Sequence, residues 1–395
     1  MRVLMSAYVC APGWSSEPGI GWGVAAAVAE HHDVWLLTSS RYREVFEDPV
    51  NSIPPRLRVE FVEDRGLTPR VGPYPAYLAW QVSAYRRAQR LHRDVSFDIA
   101  QHVTFANSAM PSLLGRLGVP FVWYAGSFAA TPWTFFPGMG ARAVAGELLR
   151  DVAAHTAGRA ARRITVGRRT TVISVDAPSS RRVKGRRIVL GGLQPWELAR
   201  LAAVAPPPAS GEPFRVLSIG RLLGWKGFHL GIRAFARFQR AVPHSEYLVV
   251  GDGEQRHRLE RLAGSLGVAS RVRFLGACSR DDTFAALGRC HVVLHPSLHE
   301  QVGFAVLEAM AAARPVVCVG AAGPPELVGT TGVVVARSSP RRVVDDLAGA
   351  LASLHGDEAG RIARGVAAQA RAIEHWNWAR VARDLDEIYR VAVTG

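Results

Sequence analysis

Lysine is almost absent from this chain: of 48 basic residues only Lys184 and Lys226 are lysines, and all the others are arginine. That skew, beside abundant Ala and Gly, has the mark of codon bias, so part of the net charge of +15 says nothing about partners. Cysteine is scarce as well. Cys10, Cys278, Cys290 and Cys318 lie far apart with no C-x-x-C pair, which argues against a zinc site and a disulfide framework and for a reducing cytoplasm. No apolar run reaches the roughly eighteen residues of a membrane span. The opening "MRVLMSAYVCAPGW" holds one Arg and a short apolar stretch that gives way to Gly, Pro and Ser, and it reads as a first strand, not an export signal. Aromatics do not interleave with the basic residues and no nucleic-acid motif accompanies them, so nucleic acid is not an expected partner. Basic residues do concentrate between 142 and 187 and at Arg86, Arg87, Arg90 and Arg93. The plain reading is a solvated face; the sharper one is attraction to a polyanionic acceptor or peripheral contact with an anionic membrane.

What is present points to two α/β domains. A length of 395 residues with 48% hydrophobic and 21% charged content supports two cores of similar size. The stretch "AVAPPPASGEPF" joins three prolines to small residues without apolar periodicity, which marks a linker. The expected division is therefore a first domain over 1–202, a linker over 203–213, a second domain over 214–375 and a closing helix over 376–395. After the linker, "FRVLSIG", "YLVVGDG", "VRFLG", "HVVLHPS", "RPVVCVG" and "GVVVA" alternate with amphipathic stretches. Continuous β-branched runs bounded by glycine imply parallel sheets covered on both faces. The first half repeats this in "RVLMSAYV", "DVWLLTS", "LRVEFVE", "FDIAQHVTF", "PFVWYAG" and "TTVISVD". Two Rossmann-like, doubly wound domains facing an interdomain cleft are expected, with ligands beyond the carboxyl ends of the strands.

Two motifs carry candidate chemistry. In "GRLLGWKGFHL" a strand end presents Arg221 and Lys226 flanked by Gly220 and Gly227, and such a cation pair suits a diphosphate whose charge grows as its bond breaks. In a chain that writes its cations as arginine, a lysine at this place suggests that the ammonium itself matters. In "HEQVGFAVLEAM" a helix begins near Gly303, leaving the amides of Val302, Gly303 and Phe304 to hold an anion, with Glu300 in the preceding loop. Glu308, inside that helix, can accept hydrogen bonds from the vicinal hydroxyls of a ribose. An ordinary exposed helix Glu is the bland alternative.

These stretches, with "VVGDGE", "VRFLG", "HPSLHEQVGFAVLEAMAAARPVV" and "GPPELV" in order, resemble the retaining nucleotide-sugar glycosyltransferases of family four, which have the GT-B fold. The resemblance is dense over 214–354, extends to "WNWARVARDLDEIY" and rests on thinner cues in the first half. It implies that Glu300 approaches the donor sugar, that Glu308 binds the ribose and that Arg221 and Lys226 grip the diphosphate. Three departures stand out: Val302 replaces a usual Phe, Ala313-Arg314 a small-Gly pair, and "AAGPPE" has lost one glycine. In the first half the resemblance makes "SSEPGIGWGVAAAVAE" a loop running into a helix, with Gly19, Gly21 and Gly23 permitting close approach to donor and acceptor. A dinucleotide fold is the rival reading, weakened because the second strand ends in Thr38-Ser39 and not an acid. His102, closing a strand, would sit beside the transferred sugar or else be an ordinary packed histidine. The pair His31-His32 and His295 with His299 form no convincing metal constellation.

The implied activity is transfer of a sugar from a nucleoside diphosphate, UDP being the favoured one, to an acceptor hydroxyl with retention of configuration and without metal or other cofactor. The acceptor would be a sugar, a natural product or a lipid-linked glycan. The base would lie near 251–253 and 274–276, which adds Gly253, Phe274 and Leu275 to the donor-binding candidates. An epimerase or phosphorylase of the same architecture, and a non-catalytic nucleotide- or anion-binding protein, are the alternatives. The aromatic-rich "VWYAGSFAATPWTFFPG" would stack on a sugar acceptor, dip toward lipid or simply pack.

Overall fold

The computed structural model describes residues 1–14, 16–64, 73–107, 109–127, 130–175, 185–204, 206 and 212–395, with the side chains of Pro73, 153–155 and Gly185 set aside. Most of the expected linker, like Lys184, lies outside these residues. The chain falls into two compact units: Met1–Phe128 with Arg150–Gly192 and Trp378–Gly395, and Ala129–Leu149 with Leu193–Asn377.

In the first unit the order is β1 (Arg2–Ser6), α1 (Ser16–Ala29), β2 (Asp33–Ser39), α2 (Arg43–Glu47), β3 (Leu57–Val62), α3 (Pro73–Val95), β4 (Ile99–His102), β5 (Phe121–Tyr124), α4 (Ala141–Thr165), whose first turns belong to the second unit, β6 (Thr170–Ser174) and β7 (Gly185–Arg187). The strands pair in parallel in the order β3-β2-β1-β4-β5-β6-β7. Each expected strand is present because its β-branched and aromatic residues are covered on both faces. β4 and β5 are buried throughout, and Trp80 and Trp123 fill the core between sheet and helices. Only three residues long, β7 gave no run to read.

The second unit continues with α5 (Pro195–Ala202), β8 (Phe214–Ile219), α6 (Phe228–Ala241), β9 (Ser245–Val250), α7 (Arg256–Ser265), β10 (Val272–Gly276), α8 (Arg280–Arg289), β11 (Val292–His295), α9 (Phe304–Ala311), β12 (Val316–Val319), α10 (Gly323–Val328), β13 (Val333–Val335), α11 (Pro340–Gly356) and α12 (Glu358–His375). Its parallel order is β10-β9-β8-β11-β12-β13. The closing helix, α13 (Trp378–Thr394), lies in the first unit, where the Tyr389 hydroxyl meets Gln101 and His32 meets Asp386 at 3.1 Å.

Two parts of the expected division need correction. Residues 129–149 and α5, assigned by sequence to the first domain, belong to the second unit. Phe135 and Met139 are buried in its core, and Arg258 donates to the Gly138 carbonyl at 2.9 Å. Arg280 pairs with Glu197 of α5, and Arg200 with Asp281 at 2.6 Å. These ties are long-range, so no local periodicity announces them. They also answer the aromatic stretch: Trp123, Tyr124 and Phe135 are core residues, and Trp133 is exposed. Among the described residues no helix is long and apolar enough to cross a membrane. On α3, Arg87 pairs with Glu60 at 2.6 Å while Arg86, Arg90 and Arg93 are exposed.

Candidate functional site

In the second unit β8 is flanked by β9 and β11, so the connections leaving β8 and β11 emerge side by side at the point where strand order reverses. The β8 connection makes a tight turn at Gly224–Lys226, and the Leu298 amide donates to the Trp225 carbonyl at 2.9 Å. Gly227 follows with φ +70°; a Cβ there would stand 2.0 Å from the Pro296 carbonyl oxygen. The two loops are therefore in backbone contact, and only glycine fits where they touch.

That contact brings Lys226 onto Glu300, whose carboxylate accepts from the Nζ; both side chains are largely buried. Burial alone would raise the Glu300 pKa, but the Lys226 ammonium, with smaller help from His295 and His299, outweighs it and holds the carboxyl below its usual range. Burial pushes the His295 imidazole down to about 4, so its 3.7 Å approach to Glu300 is a contact of a neutral ring at pH 7 and no ion pair. The Lys226 ammonium also lies 4.6 Å from the centre of the Trp225 ring, and that ring stacks on His299 at 4.4 Å. His299 in turn meets the buried Glu147 of α4 at 3.2 Å. Trp225, His295, His299 and Glu147 escaped the sequence reading, which weighed the two histidines only as metal ligands. The adjacency of His299 to Glu300 was a usable signal; Glu147, 152 positions away, offered none. Among the described residues no group of His, Cys, Asp or Glu is arranged to hold a metal ion.

Arg221 is exposed on the β8 connection and makes no ion pair with the described residues. Its loop is fixed from below: the Gly220 amide donates to the Val250 carbonyl at 2.9 Å and the Leu222 amide to the Asp252 carbonyl at 2.8 Å. Gly253, exposed at φ +153°, approaches the Leu222 backbone closely, and Phe274 packs on the core while Leu275 is exposed. Gly303, at φ +89°, caps α9, and the Val306 amide returns to the Gly303 carbonyl at 2.8 Å. The N–H groups of Gly303 and Phe304 find no acceptor among the described residues, and they stand at the positive end of the helix. Val302 is buried. Two of the departures noted above carry strain: Ala313 and Ala322 both have positive φ, +55° and +54°.

Glu308 is not an exposed helix residue. It is buried in α9, with Arg280 at 3.4 Å. Burial raises its pKa to about 7; Arg280 opposes this and Glu197 adds to it. Below the ordinary carboxyl value of 4.5 this group's contribution to stability is complete, and it is lost as pH rises from there through about 7, because over that range the folded chain keeps a proton the unfolded one has already given up. At about 1.4 kcal/mol per pH unit the gap corresponds to about 3 kcal/mol. Glu308→Gln is expected to flatten the pH dependence of the melting temperature between pH 4.5 and about pH 7. Identical pH profiles for variant and wild type would contradict the assignment.

In the first unit His102 ends β4, fully buried beside Tyr77, and neither ring nitrogen has a well-formed hydrogen bond among the described residues. Burial lowers its pKa to about 4, the Phe105 backbone offsetting part of this, so the ring is neutral at pH 7. Gly19, Gly21 and Gly23 lie inside α1, not in a loop before it. A Cβ at Gly19 would meet the Trp14 carbonyl at 2.1 Å, at Gly21 the Val9 carbonyl at 2.7 Å, and at Gly23 the Trp378 ring at 2.2 Å. The close approach these glycines permit is to the chain itself.

Comparison with known proteins agrees with this construction. Residues 203–361 match the family Glycosyl transferases group 1. The chain is 33% identical over 201 residues to glycogen synthase of Mycobacterium tuberculosis (strain CDC 1551 / Oshkosh), covering 50% of this chain and 47% of that one. It is also 33% identical over 169 residues to the 2-deoxystreptamine glucosyltransferase of Streptomyces kanamyceticus, covering 40% and 43%. The match thus spans about half the length of the curated relatives, or less. Among solved structures, WaaG, a glycosyltransferase involved in lipopolysaccharide biosynthesis, superposes over 98% of this chain and 99% of its own with TM-score 0.62 at 19% identity. Anabaena HepE in complex with UDP and glucose does so over 98% and 99% with TM-score 0.62 at 18% identity. Residues 203–361 are thus similar to the group 1 glycosyl transferases, and the chain has the GT-B fold.

Proposed function

We propose that the protein transfers a sugar from a nucleoside diphosphate sugar, UDP being the favoured carrier, to an acceptor hydroxyl with retention at the anomeric carbon. The observation that carries this reading is the switch-point constellation: exposed Arg221, the Lys226–Glu300 pair and the unpaired amides of Gly303 and Phe304. The diphosphate leaves toward Arg221, Lys226 and the α9 amides, whose fixed positive field offsets its growing charge. The bond from the anomeric carbon to the phosphate oxygen breaks, the bond to the acceptor oxygen forms on the same face, and the acceptor proton passes to the leaving phosphate. Because these groups supply the positive charge, the reaction requires no metal. Glu308 accepts hydrogen bonds from the ribose. HepE, solved with UDP and glucose, supports the choice of ligand class. The free cysteines suit a reducing cytoplasm as its location, and the acceptor is a sugar, a natural product or a lipid-linked glycan.

The test is a thermal-shift screen of nucleotide sugars followed by product analysis in the presence of a chelator. A new glycoside and free nucleoside diphosphate in equal amounts, with a loss of about a hundredfold or more in Glu300→Ala, are expected. An epimerised nucleotide sugar, a sugar phosphate product or full dependence on added metal would overturn the reading.

A further inference from the structure

On the second unit a cavity of about 510 Å³ opens between α6, the first turn of α11 and residues 134–138. We propose that it binds a phosphate-bearing small molecule with a compact ring body, at a site separate from the switch-point constellation. Its rim is basic. Arg233, Arg240 and Arg341 are exposed there and make no ion pair among the described residues, whereas Arg237 on the same face is neutralised by Asp345. α11 is seventeen residues long, and its first turn, at Pro340 and Arg341, turns its positive end to the same cavity. The floor is apolar, with Phe135, Leu230 and Val344 buried.

The feature that points to a ligand is His229. It lines the cavity, is 6% exposed, and its Nε2 is buried without a hydrogen-bond partner among the described residues. Gly138 leaves room for the ring: a Cβ there would fall 2.5 Å from both Nε2 and Cδ2. An unpaired polar atom in such a place is costly unless something supplies its partner. Burial, reinforced by Arg258 and Arg233, lowers the His229 pKa to about 3, so the ring enters the site neutral and donates or accepts one hydrogen bond. Three unpaired guanidiniums around a neutral ring and an apolar floor match a phosphate ester better than a bare cation or a carboxylate-free sugar, since arginine grips phosphate oxygens in pairs.

Residues 134–138 are the stretch that joins this unit from the first half of the sequence, so the cavity exists only because that segment docks beside α6. The cavity is lined by none of the residues assigned to the proposed transfer reaction. Calorimetric titration of glucose 1-phosphate and of inorganic phosphate into the wild-type chain, Arg233→Ala/Arg341→Ala and Lys226→Ala tests it. Glucose 1-phosphate is expected to bind wild type and Lys226→Ala alike and to lose about tenfold or more in the double arginine variant. Inorganic phosphate, which leaves the floor uncovered, is expected to bind about tenfold more weakly than the ester. A His229 ring resonance, assigned through His229→Gln, should move on titration, a readout that a misfolded variant cannot imitate. No binding to wild type, unchanged affinity in the arginine variant, loss in Lys226→Ala alone, equal affinity for both probes or an unmoved His229 resonance would each overturn the proposal.

Discussion

Lys226→Ala is expected to lower turnover with a nucleoside diphosphate sugar by about a thousandfold while leaving the protein folded. The ammonium does two jobs in the structure. In the proposed reaction it faces the place where leaving-group charge develops, and removal of one such preorganised donor typically costs about two to three orders of magnitude. It is also what keeps Glu300 ionised, since burial pulls that carboxyl the other way. Without Lys226 the carboxyl is left buried beside His295, which is neutral above about pH 4 and cannot replace the lost charge. The sign follows directly. In the wild type the lowered Glu300 pKa means that its ionised form persists until pH falls well below the usual carboxyl range; in the variant it is lost on acidification at a higher pH. The acid limb of the kcat profile should therefore move upward, which a loss of packing alone would not produce. Lys226→Arg should recover part of the charge but not the fit over Trp225, where the ammonium sits 4.6 Å from the ring centre. Turnover within about threefold of wild type, or an unmoved acid limb, would refute the assignment.

Gly227→Ala should be strongly destabilising for the second unit. An alanine at φ +70° costs about 1–2 kcal/mol in backbone energy, and its Cβ would stand 2.0 Å from the Pro296 carbonyl oxygen, which has no room to retreat because Leu298 is tied to Trp225. Forcing the loops apart adds about 1–3 kcal/mol. The total, about 2–5 kcal/mol, corresponds to a fall in melting temperature of about 10 °C. Gly267 supplies the control: its φ is +72°, yet nothing lies within 4 Å of where its Cβ would be. Gly267→Ala should therefore cost only the backbone part, about 1–2 kcal/mol. Equal losses in the two variants would show that the β8 and β11 loops do not depend on this contact. Because Gly227 joins the loops that carry Lys226 and Glu300, the variant should also lose turnover beyond what its remaining folded fraction explains.

The strands were readable because each is a continuous β-branched run between glycines, and that pattern survives without any tertiary information. Arg221, Lys226, Glu300 and Gly303 were picked out for a related reason: each lies beside a strand end or a helix start, where local sequence dictates backbone direction. The glycines of α1 show the limit of that logic. Three glycines in five residues argue against a helix interior, but their missing side chains admit Trp14, Val9 and Trp378, and packing overrides propensity. Glu308 shows it again, for its spacing gave no hint that Arg280 and burial would hold it near neutrality.

By itself the sequence determined two parallel α/β domains, a cation-bearing strand end and a carboxylate loop before a glycine-capped helix, because these follow from residue type and short-range spacing. Tertiary structure alone decided that Lys226 closes on Glu300, that Glu147 reaches His299 from 152 positions away, and that residues 129–149 complete the second unit. Those outcomes depend on which surfaces meet when the chain collapses, and the free energy that selects them is spread over contacts between residues far apart in the chain.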